Sequence, residues 1–154
     1  MKTHLHALAL SLLASFGVTA AQAETRAIEK VAGDVYRFQN NFHHSLVTVT
    51  DDGVAIVDPI NADAASWLKE NLSQITDKPI THLIYSHSHG DHASGGKELG
   101  AKTVIAHENA PPMIDGVVPR VRVSDEMTVE VGGKTFEMTY LGPGHGTDML
   151  AVVV

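Results

Sequence analysis

The sequence predicts one domain of the α+β class, and three observations point to it. Its 154 residues are the length of an ordinary single domain, and 44 % hydrophobic with 19 % charged residues is a globular composition. Short β-branched runs bounded by Gly, Asp and Asn alternate with two stretches of helical periodicity. Because hairpins come first and strand–helix–strand units follow, we expect layered helices and sheets in an α/β/β arrangement.

The first residues have the pattern of an export signal. Lys2 supplies a positive charge, residues 7–18 form an apolar run, and A-Q-A at 21–23 is a small-x-small cleavage site. The run is too short to remain in a bilayer as a span. We therefore expect residues 1–23 to be a signal peptide, and residues 24–154 to be an exported domain without a stable membrane anchor. The periplasm is the expected location, with full secretion as the alternative.

The next predicted elements are two hairpins. Residues 28–32 and 35–38 flank the turn pair G-D, and residues 45–50 and 54–58 flank the turn D-D-G. An antiparallel meander is therefore expected to open the domain.

The middle of the chain predicts two strand–helix–strand units. Asn61 or Asp63 is available to cap the first helix, and Gly100 to end the second. The predicted elements are a helix over 61–75, a strand over 80–86, a helix over 93–99 and a strand over 103–106.

Strands return in the last third of the chain, with G-G as a hairpin turn. They are predicted over 121–123, 127–131, 135–141 and 149–154. The final run is apolar and stops without a polar tail, whereas natural termini usually lie at the surface. We expect a chain that stops partway through a larger fold, with a small complete domain as the alternative.

Composition excludes several classes of function. With 11 basic and 18 acidic residues the formal charge is −7, which disfavours nucleic-acid binding. The absence of Cys excludes disulfides, thiol catalysis and thiolate metal sites, so His and carboxylates are the available metal ligands. Ten His residues is a high count that makes a metal site the leading hypothesis.

The motif S-H-S-H-G-D-H at 86–92 contains four potential metal ligands in its last six residues. It lies at the end of a predicted strand. On an extended backbone His87 and His89 point to the same side, so they can converge on one cation. The glycine lets the chain turn, so that Asp91 and His92 are aimed at a second position. H-x-H-x-D-H after an apolar strand is a strong signal for metal binding.

A catalytic zinc site takes three protein ligands and keeps a position for water. His145 is the candidate for the third ligand of the first position. It lies in G-P-G-H-G-T-D at 142–148, after a predicted strand, and its flanking glycines permit a close approach to a metal.

The other histidines are expected to be structural or solvated. His82 lies on the opposite face of its strand from His87, and His107 ends a strand where it could cap a following helix. His43 and His44 lie in a predicted loop that could line a cleft, and a solvated turn is the preferred interpretation.

These motifs resemble those of the metallo-β-lactamase-fold hydrolase superfamily, and V-D-P at 57–59 fits the strand end that precedes its first helix. The resemblance implies an αββα sandwich of which only the first αβ half is present. It also implies zinc, one or two ions per complete domain. One zinc would be held by His87, His89 and His145.

The resemblance further implies that Asp91 and His92 hold the second zinc, together with a carboxylate or Cys and a late His further along the chain. Asp91 is the implied catalytic residue, which orients the attacking water or accepts its proton. Asp58, at a strand end, is expected to accept a proton from a ligand imidazole and so fix its tautomer. Asp148 is too close to His145 in sequence to bridge two metals, and we expect it to be structural.

The function implied is that of an exported zinc hydrolase, in which zinc-bound hydroxide attacks a β-lactam, ester, sulfate or related bond of a small molecule. Two alternatives remain: an exported zinc carrier without turnover, and an inactive fragment. If the second half of the sandwich is missing, we expect an apolar patch that includes Val54, Ile56, Val152 and Val154.

Overall fold

The computed structural model describes residues 25–154, so the predicted signal peptide lies outside the described residues. The strands are β1 (Arg26–Ala32), β2 (Val35–Asn40), β3 (His43–Thr50), β4 (Gly53–Val57), β5 (Ile80–Ile84), β6 (Thr103–His107), β7 (Val121–Val123), β8 (Glu126–Val131), β9 (Lys134–Tyr140) and β10 (Leu150–Val153). The α-helices are α1 (Ala62–Asn71), which continues into a 3-10 turn (Leu72–Gln74), α2 (Gly90–Ala93) and α3 (Gly96–Leu99). Within the described chain, none of the helices has the length and apolar character needed to cross a membrane.

The strands form two sheets. In the seven-stranded sheet, β1 to β7 lie side by side in chain order, antiparallel from β1 to β4 and parallel from β4 to β7. The second sheet has the order β10-β9-β8 and is antiparallel. The two predicted hairpins are therefore confirmed, as is the layered α+β class.

The centre of the large sheet is buried on both faces, as β4 shows. In β4, Val54 and Ile56 lie in a core shared with α1, whereas Ala55 and Val57 lie in a core shared with the second sheet. This alternation follows from the two-residue period of a strand, whose successive side chains point to opposite faces. One helical layer and two sheets therefore stack in the predicted α/β/β order.

The predicted exposed apolar patch is largely wrong. Val54 and Ile56 are 0 % exposed, because α1 from the same half of the fold covers them. The second sheet also begins within this chain and packs on the other face, where Val152 is partly buried. Of the four named residues, Val154 is the one in the exposed class, at 42 %.

The first helix begins as predicted and ends early. The Asn61 side chain accepts a hydrogen bond from the backbone N–H of Ala64 at 2.8 Å, which confirms Asn61 as the N-cap. The predicted helix over 93–99 is wrong in its bounds, because the chain forms two single turns, α2 and α3, separated at Gly95. Gly100 ends the second turn in the left-handed conformation, as predicted.

Gly95 separates the two turns because α3 approaches the start of α1 closely there. Its φ is +82°, and a Cβ atom at this position would lie 2.5 Å from the backbone N and Cα of Ala62. Only glycine fits both the backbone conformation and the space.

Substitution of this glycine tests the close approach. We expect Gly95→Ala to lower the free energy of unfolding by about 2 kcal/mol more than Gly116→Ala, because overpacking adds to the cost of a positive φ. Gly116 is the matched control, since its φ is +80° and nothing lies within 4 Å of its virtual Cβ. Urea denaturation of both variants measures the difference, and equal destabilisation would contradict the packing argument.

Candidate metal centre

The candidate site lies at the carboxyl ends of β4 and β5, the edge at which ligands commonly bind in sheets with parallel strands. Asp58 directly follows β4, while His87 and His89 follow β5. Asp91 and His92 lie on α2, whose single turn begins directly after His89. The single turn α2 therefore carries Asp91 and His92, the last two potential ligands of the H-x-H-x-D-H motif.

His145 reaches the same edge from the loop between β9 and β10. The backbone N–H of Leu150 donates to the carbonyl of Ser86 at 2.8 Å, which ties the start of β10 to the end of β5. The Nε2 atom of His145 then lies 2.9 Å from the Nδ1 atom of His89. Residues 56 positions apart in the sequence are thus brought into contact.

His87, His89 and His145 form the first cluster. One ring nitrogen from each lies within 4.8 Å of the others. Ring centroids are 4.8 Å apart for His87 and His89 and 5.3 Å apart for His87 and His145. The structure therefore brings together the three residues predicted as the first ligand set, and their role as ligands stays a prediction.

The nitrogens of this cluster fit a metal. Two nitrogen ligands about 2.0–2.1 Å from a tetrahedral zinc lie about 3.3 Å apart, and the His89 and His145 nitrogens, 2.9 Å apart and in hydrogen-bond contact, would need to separate by only a few tenths of an ångström to hold one. The Nε2 atom of His87 is buried and has no hydrogen-bond partner among the described residues, although an orphaned polar atom is costly. A cation in front of this lone pair would satisfy it.

The environment keeps His87 neutral, as a metal ligand must be. Burial lowers the pKa of His87, and the nearby His92 lowers it further. The other ring nitrogen, Nδ1, lies 3.0 Å from the hydroxyl oxygen of Ser86. The ring is therefore held in place with its Nε2 lone pair available.

Asp91 and His92 form a second cluster together with His43. The Nε2 atom of His43 lies 3.2 Å from Oδ2 of Asp91, and one ligand atom from each of the three residues lies within 4.8 Å of the others. The hydrogen bond from His43 lowers the pKa of the Asp91 carboxyl, so this exposed side chain is a carboxylate at neutral pH.

The placement of His43 differs from its preferred interpretation as part of a solvated turn. His43 is the first residue of β3 and is half-buried at the edge where β4 ends. The two-residue period of a strand could have indicated this placement, because it puts His43 on the same face as Ser45 and Val47. Both of these residues are buried. His44 points the other way and is exposed.

Asp58 holds the two halves of the motif together. Its buried carboxylate accepts hydrogen bonds from the backbone N–H of Ser86 at 2.8 Å and from the Ser86 hydroxyl. It also lies 3.2 Å from Nδ1 of His92, and this hydrogen bond raises the pKa of His92. With Nδ1 engaged, Nε2 of His92 is the nitrogen that faces away from Asp58. That Asp58 fixes the tautomer of a ligand imidazole stays a prediction.

The backbone at Asp58 is itself unusual. Its φ is +63°, a conformation uncommon outside glycine, and its carbonyl accepts a hydrogen bond from the Ser45 hydroxyl at 2.7 Å. A backbone conformation of this kind costs free energy, so it is kept only where surrounding contacts hold it in place. Such conformations are often found at functional sites.

The remaining predicted residues lie outside both clusters. His82 contacts Thr81 Oγ1 at 3.0 Å. His107 is buried, and its Nε2 donates to the carbonyl of Ser124 at 2.8 Å, so it is structural, but a turn rather than a helix follows it. Asp148 is also buried, and its structural role stays a prediction.

Comparison with known proteins identifies the family. The family model of the Metallo-beta-lactamase superfamily matches residues 40–154. The 2,4-dinitroanisole O-demethylase subunit alpha of Nocardioides sp. is 30 % identical over 135 residues, which are 80 % of this chain and 41 % of that protein. The hydroxyacylglutathione hydrolase of Idiomarina loihiensis is 33 % identical over 118 residues, 74 % of this chain and 43 % of that protein.

The fold agrees with this assignment. A class B3 di-zinc metallo-beta-lactamase from an Alaskan soil metagenome superposes with a TM-score of 0.72 at 22 % identity, over 81 % of this chain and 55 % of that one. The chain spans less than half the length of both curated relatives. It belongs to the metallo-beta-lactamase superfamily.

Proposed function

We propose that the protein is an exported zinc-dependent hydrolase that acts on a small molecule carrying a β-lactam, ester, thioester or sulfate bond. The observation that carries the proposal is the convergence of the imidazoles of His87, His89 and His145, together with the buried Nε2 of His87, which has no hydrogen-bond partner in the described part of the chain. The relatives named above as hydrolases support the reaction class, and the A-Q-A site after an apolar run supports export to the periplasm.

In this proposal the histidines and Asp91 are the metal ligands. His87, His89 and His145 would hold one zinc, and Asp91 and His92 would contribute to holding a second. Zinc, when bound, supplies a Lewis acid that polarises a substrate oxygen and lowers the pKa of water to about 7.

Asp91 has the properties of the proton acceptor in this site. Its side chain is exposed at the mouth of the site, and its lowered pKa keeps it ionised at neutral pH. Asp58 keeps His92 in a fixed orientation from the buried side. His145 is exposed, so the site is open to a small substrate from solvent.

Turnover with and without metal tests the proposal. We expect the purified full chain, recovered from the periplasmic fraction of a Gram-negative host, to hydrolyse at least one member of a panel. The panel contains a chromogenic β-lactam, an aryl ester, a thioester and an alkyl sulfate. A chelator should remove the activity and zinc should restore it. Tight zinc binding without turnover of any substrate would instead establish a carrier.

A further inference from the structure

We infer that Tyr140, the last residue of β9, and Asn109, in the turn after β6, are positioning residues that hold His145 at the first cluster. Both side chains donate a hydrogen bond to one backbone carbonyl, that of Thr147, two residues after His145. The inference rests on the proposed function for one consequence only, that the residue so held binds a metal.

The loop that carries His145 has little packing of its own. A Cβ atom built at Gly142 or at Gly144 would have nothing within 4 Å in the described part of the chain beyond its own neighbours. Glycine loses more conformational freedom than other residues when it is fixed, so ordering this loop is costly. The N–H of Gly144 donates to the carbonyl of Gly146 at 2.9 Å, which closes a short turn over His145. Contacts from outside the loop must therefore set where this turn lies.

Two of these outside contacts meet at the Thr147 carbonyl. The Tyr140 hydroxyl and Nδ2 of Asn109 each donate to it at 3.1 Å. A carbonyl oxygen has two lone pairs, so it can accept both hydrogen bonds at once. The end of β9 and the turn after β6 are thus fastened to the loop at one point.

A buried histidine orients both donors. The ring of Tyr140 stacks on the ring of His107, with centroids 3.9 Å apart and an angle of 20° between the planes. Nε2 of His107 donates to the carbonyl of Ser124, and its Nδ1 accepts from the backbone N–H of Asn109 at 3.1 Å. One neutral tautomer of His107 satisfies both hydrogen bonds. The two donors are therefore presented by the end of a strand, which gives a more precise site than a free loop.

His145 depends on these contacts more than His87 does. The His145 side chain is exposed, so packing against the core does not fix its ring, whereas His87 is buried. The ring centroid of His145 nevertheless lies 4.5 Å from that of His89 and 5.3 Å from that of His87. The hydrogen bonds to the Thr147 carbonyl supply the support that burial supplies for His87.

The variants remove the two donors separately and together. Tyr140→Phe removes the hydroxyl and keeps the stacked ring, and Asn109→Ala removes the second donor. Tyr36→Phe is the control for the first, because Tyr36 is also half-buried and its hydroxyl makes no hydrogen bond within the described chain. Asn71→Ala is the control for the second, because Nδ2 of Asn71 also donates to a backbone carbonyl, one turn earlier in α1, at 2.9 Å.

The first measurement uses the metal-free full chain with ¹³C-labelled histidine rings. We expect a nuclear Overhauser cross-peak between the rings of His145 and His89 in the unsubstituted protein and in both controls. The cross-peak should weaken in Tyr140→Phe and be lost in the double variant that also carries Asn109→Ala. Urea denaturation should give Tyr140→Phe nearly the midpoint of the unsubstituted protein. A residue that only supports the fold would instead lower the midpoint and leave the cross-peak in place.

The second measurement is a titration of the same proteins with Co²⁺ against a competing chelator. In the double variant the affinity for Co²⁺ should fall about 10- to 100-fold, the usual effect of losing groups that orient a ligand. In Tyr140→Phe it should fall about 3- to 10-fold, which corresponds to one hydrogen bond. Both controls should match the unsubstituted protein.

The two measurements separate this inference from the proposed function. A cross-peak that persists in the double variant, or that is missing from the unsubstituted protein, would overturn the inference. An unchanged affinity for Co²⁺ in the double variant, or an equal loss in the controls, would overturn it as well. If none of the proteins binds Co²⁺, the proposed function fails, and the cross-peak alone decides whether Tyr140 and Asn109 position His145.

Discussion

The variant His87→Ala is expected to lose tight zinc binding. His87 contributes the most buried nitrogen of the first cluster, and that nitrogen has no partner among the described side chains and backbone. Structural zinc sites bind with about 10–16 kcal/mol from four ligands, so one ligand accounts for about 2.5–4 kcal/mol, or roughly 10²- to 10³-fold in affinity. Dialysis followed by metal analysis should find about one zinc fewer per chain.

His82→Ala is the control for this loss. His82 is a half-buried imidazole in β5, and burial lowers its pKa as it does for His87. It lies outside both clusters, so zinc content should be unchanged. His145→Ala, in the exposed loop, should reproduce the loss without disturbing the core. Equal loss of zinc in His82→Ala and His87→Ala would contradict the assignment.

Removal of the Asp58 carboxylate is expected to weaken both the fold and the site. In Asp58→Ala the backbone N–H and hydroxyl of Ser86 lose their acceptor, and His92 loses the group beside Nδ1. Hydrogen bonds to a charged group contribute about 1.5–3 kcal/mol, so we expect the free energy of unfolding to fall by about 2–4 kcal/mol. Metal affinity should fall by about 10- to 100-fold, the usual effect of losing a group that orients a ligand.

The destabilisation by Asp58→Ala should depend on pH in the metal-free protein. The hydrogen bond to Asp58 raises the pKa of His92 in the folded state. The pair therefore stabilises the fold fully below the unfolded histidine pKa of about 6.5, and this contribution is lost as the pH rises through the raised value. Urea denaturation should show a larger difference between the two proteins at pH 5.5 than at pH 8.5.

Asp77→Ala is the control for both effects. Asp77 is exposed in the turn after the 3-10 segment, so its substitution should change the free energy of unfolding by no more than about 0.5 kcal/mol. A destabilisation by Asp58→Ala that is small, or that grows as the pH rises, would contradict the contacts described for Asp58.

Much of the fold follows from local patterns in the sequence. Alternating apolar residues, turn residues such as G-D and D-D-G, and the Asn61 cap predicted both hairpins and the start of α1 correctly. The convergence of His87 and His89 followed from their spacing of two on an extended backbone.

Tertiary contacts account for what the sequence did not reveal. The break at Gly95 depends on the position of Ala62, more than thirty residues earlier, and helical periodicity over 93–99 carries no sign of it. Likewise, His43 joins Asp91 only because β3 runs antiparallel to β4 and starts where β4 ends. The burial of Val54 and Ile56 depends on α1 folding back over the sheet.

Anomalous diffraction at the zinc edge, from crystals of the zinc-loaded chain, would locate the metal relative to His87, His89 and His145. We expect a strong peak about 2.0–2.1 Å from one nitrogen of each of these three side chains. A peak elsewhere, with these three imidazoles contacting only one another, would show that they are not the zinc ligands.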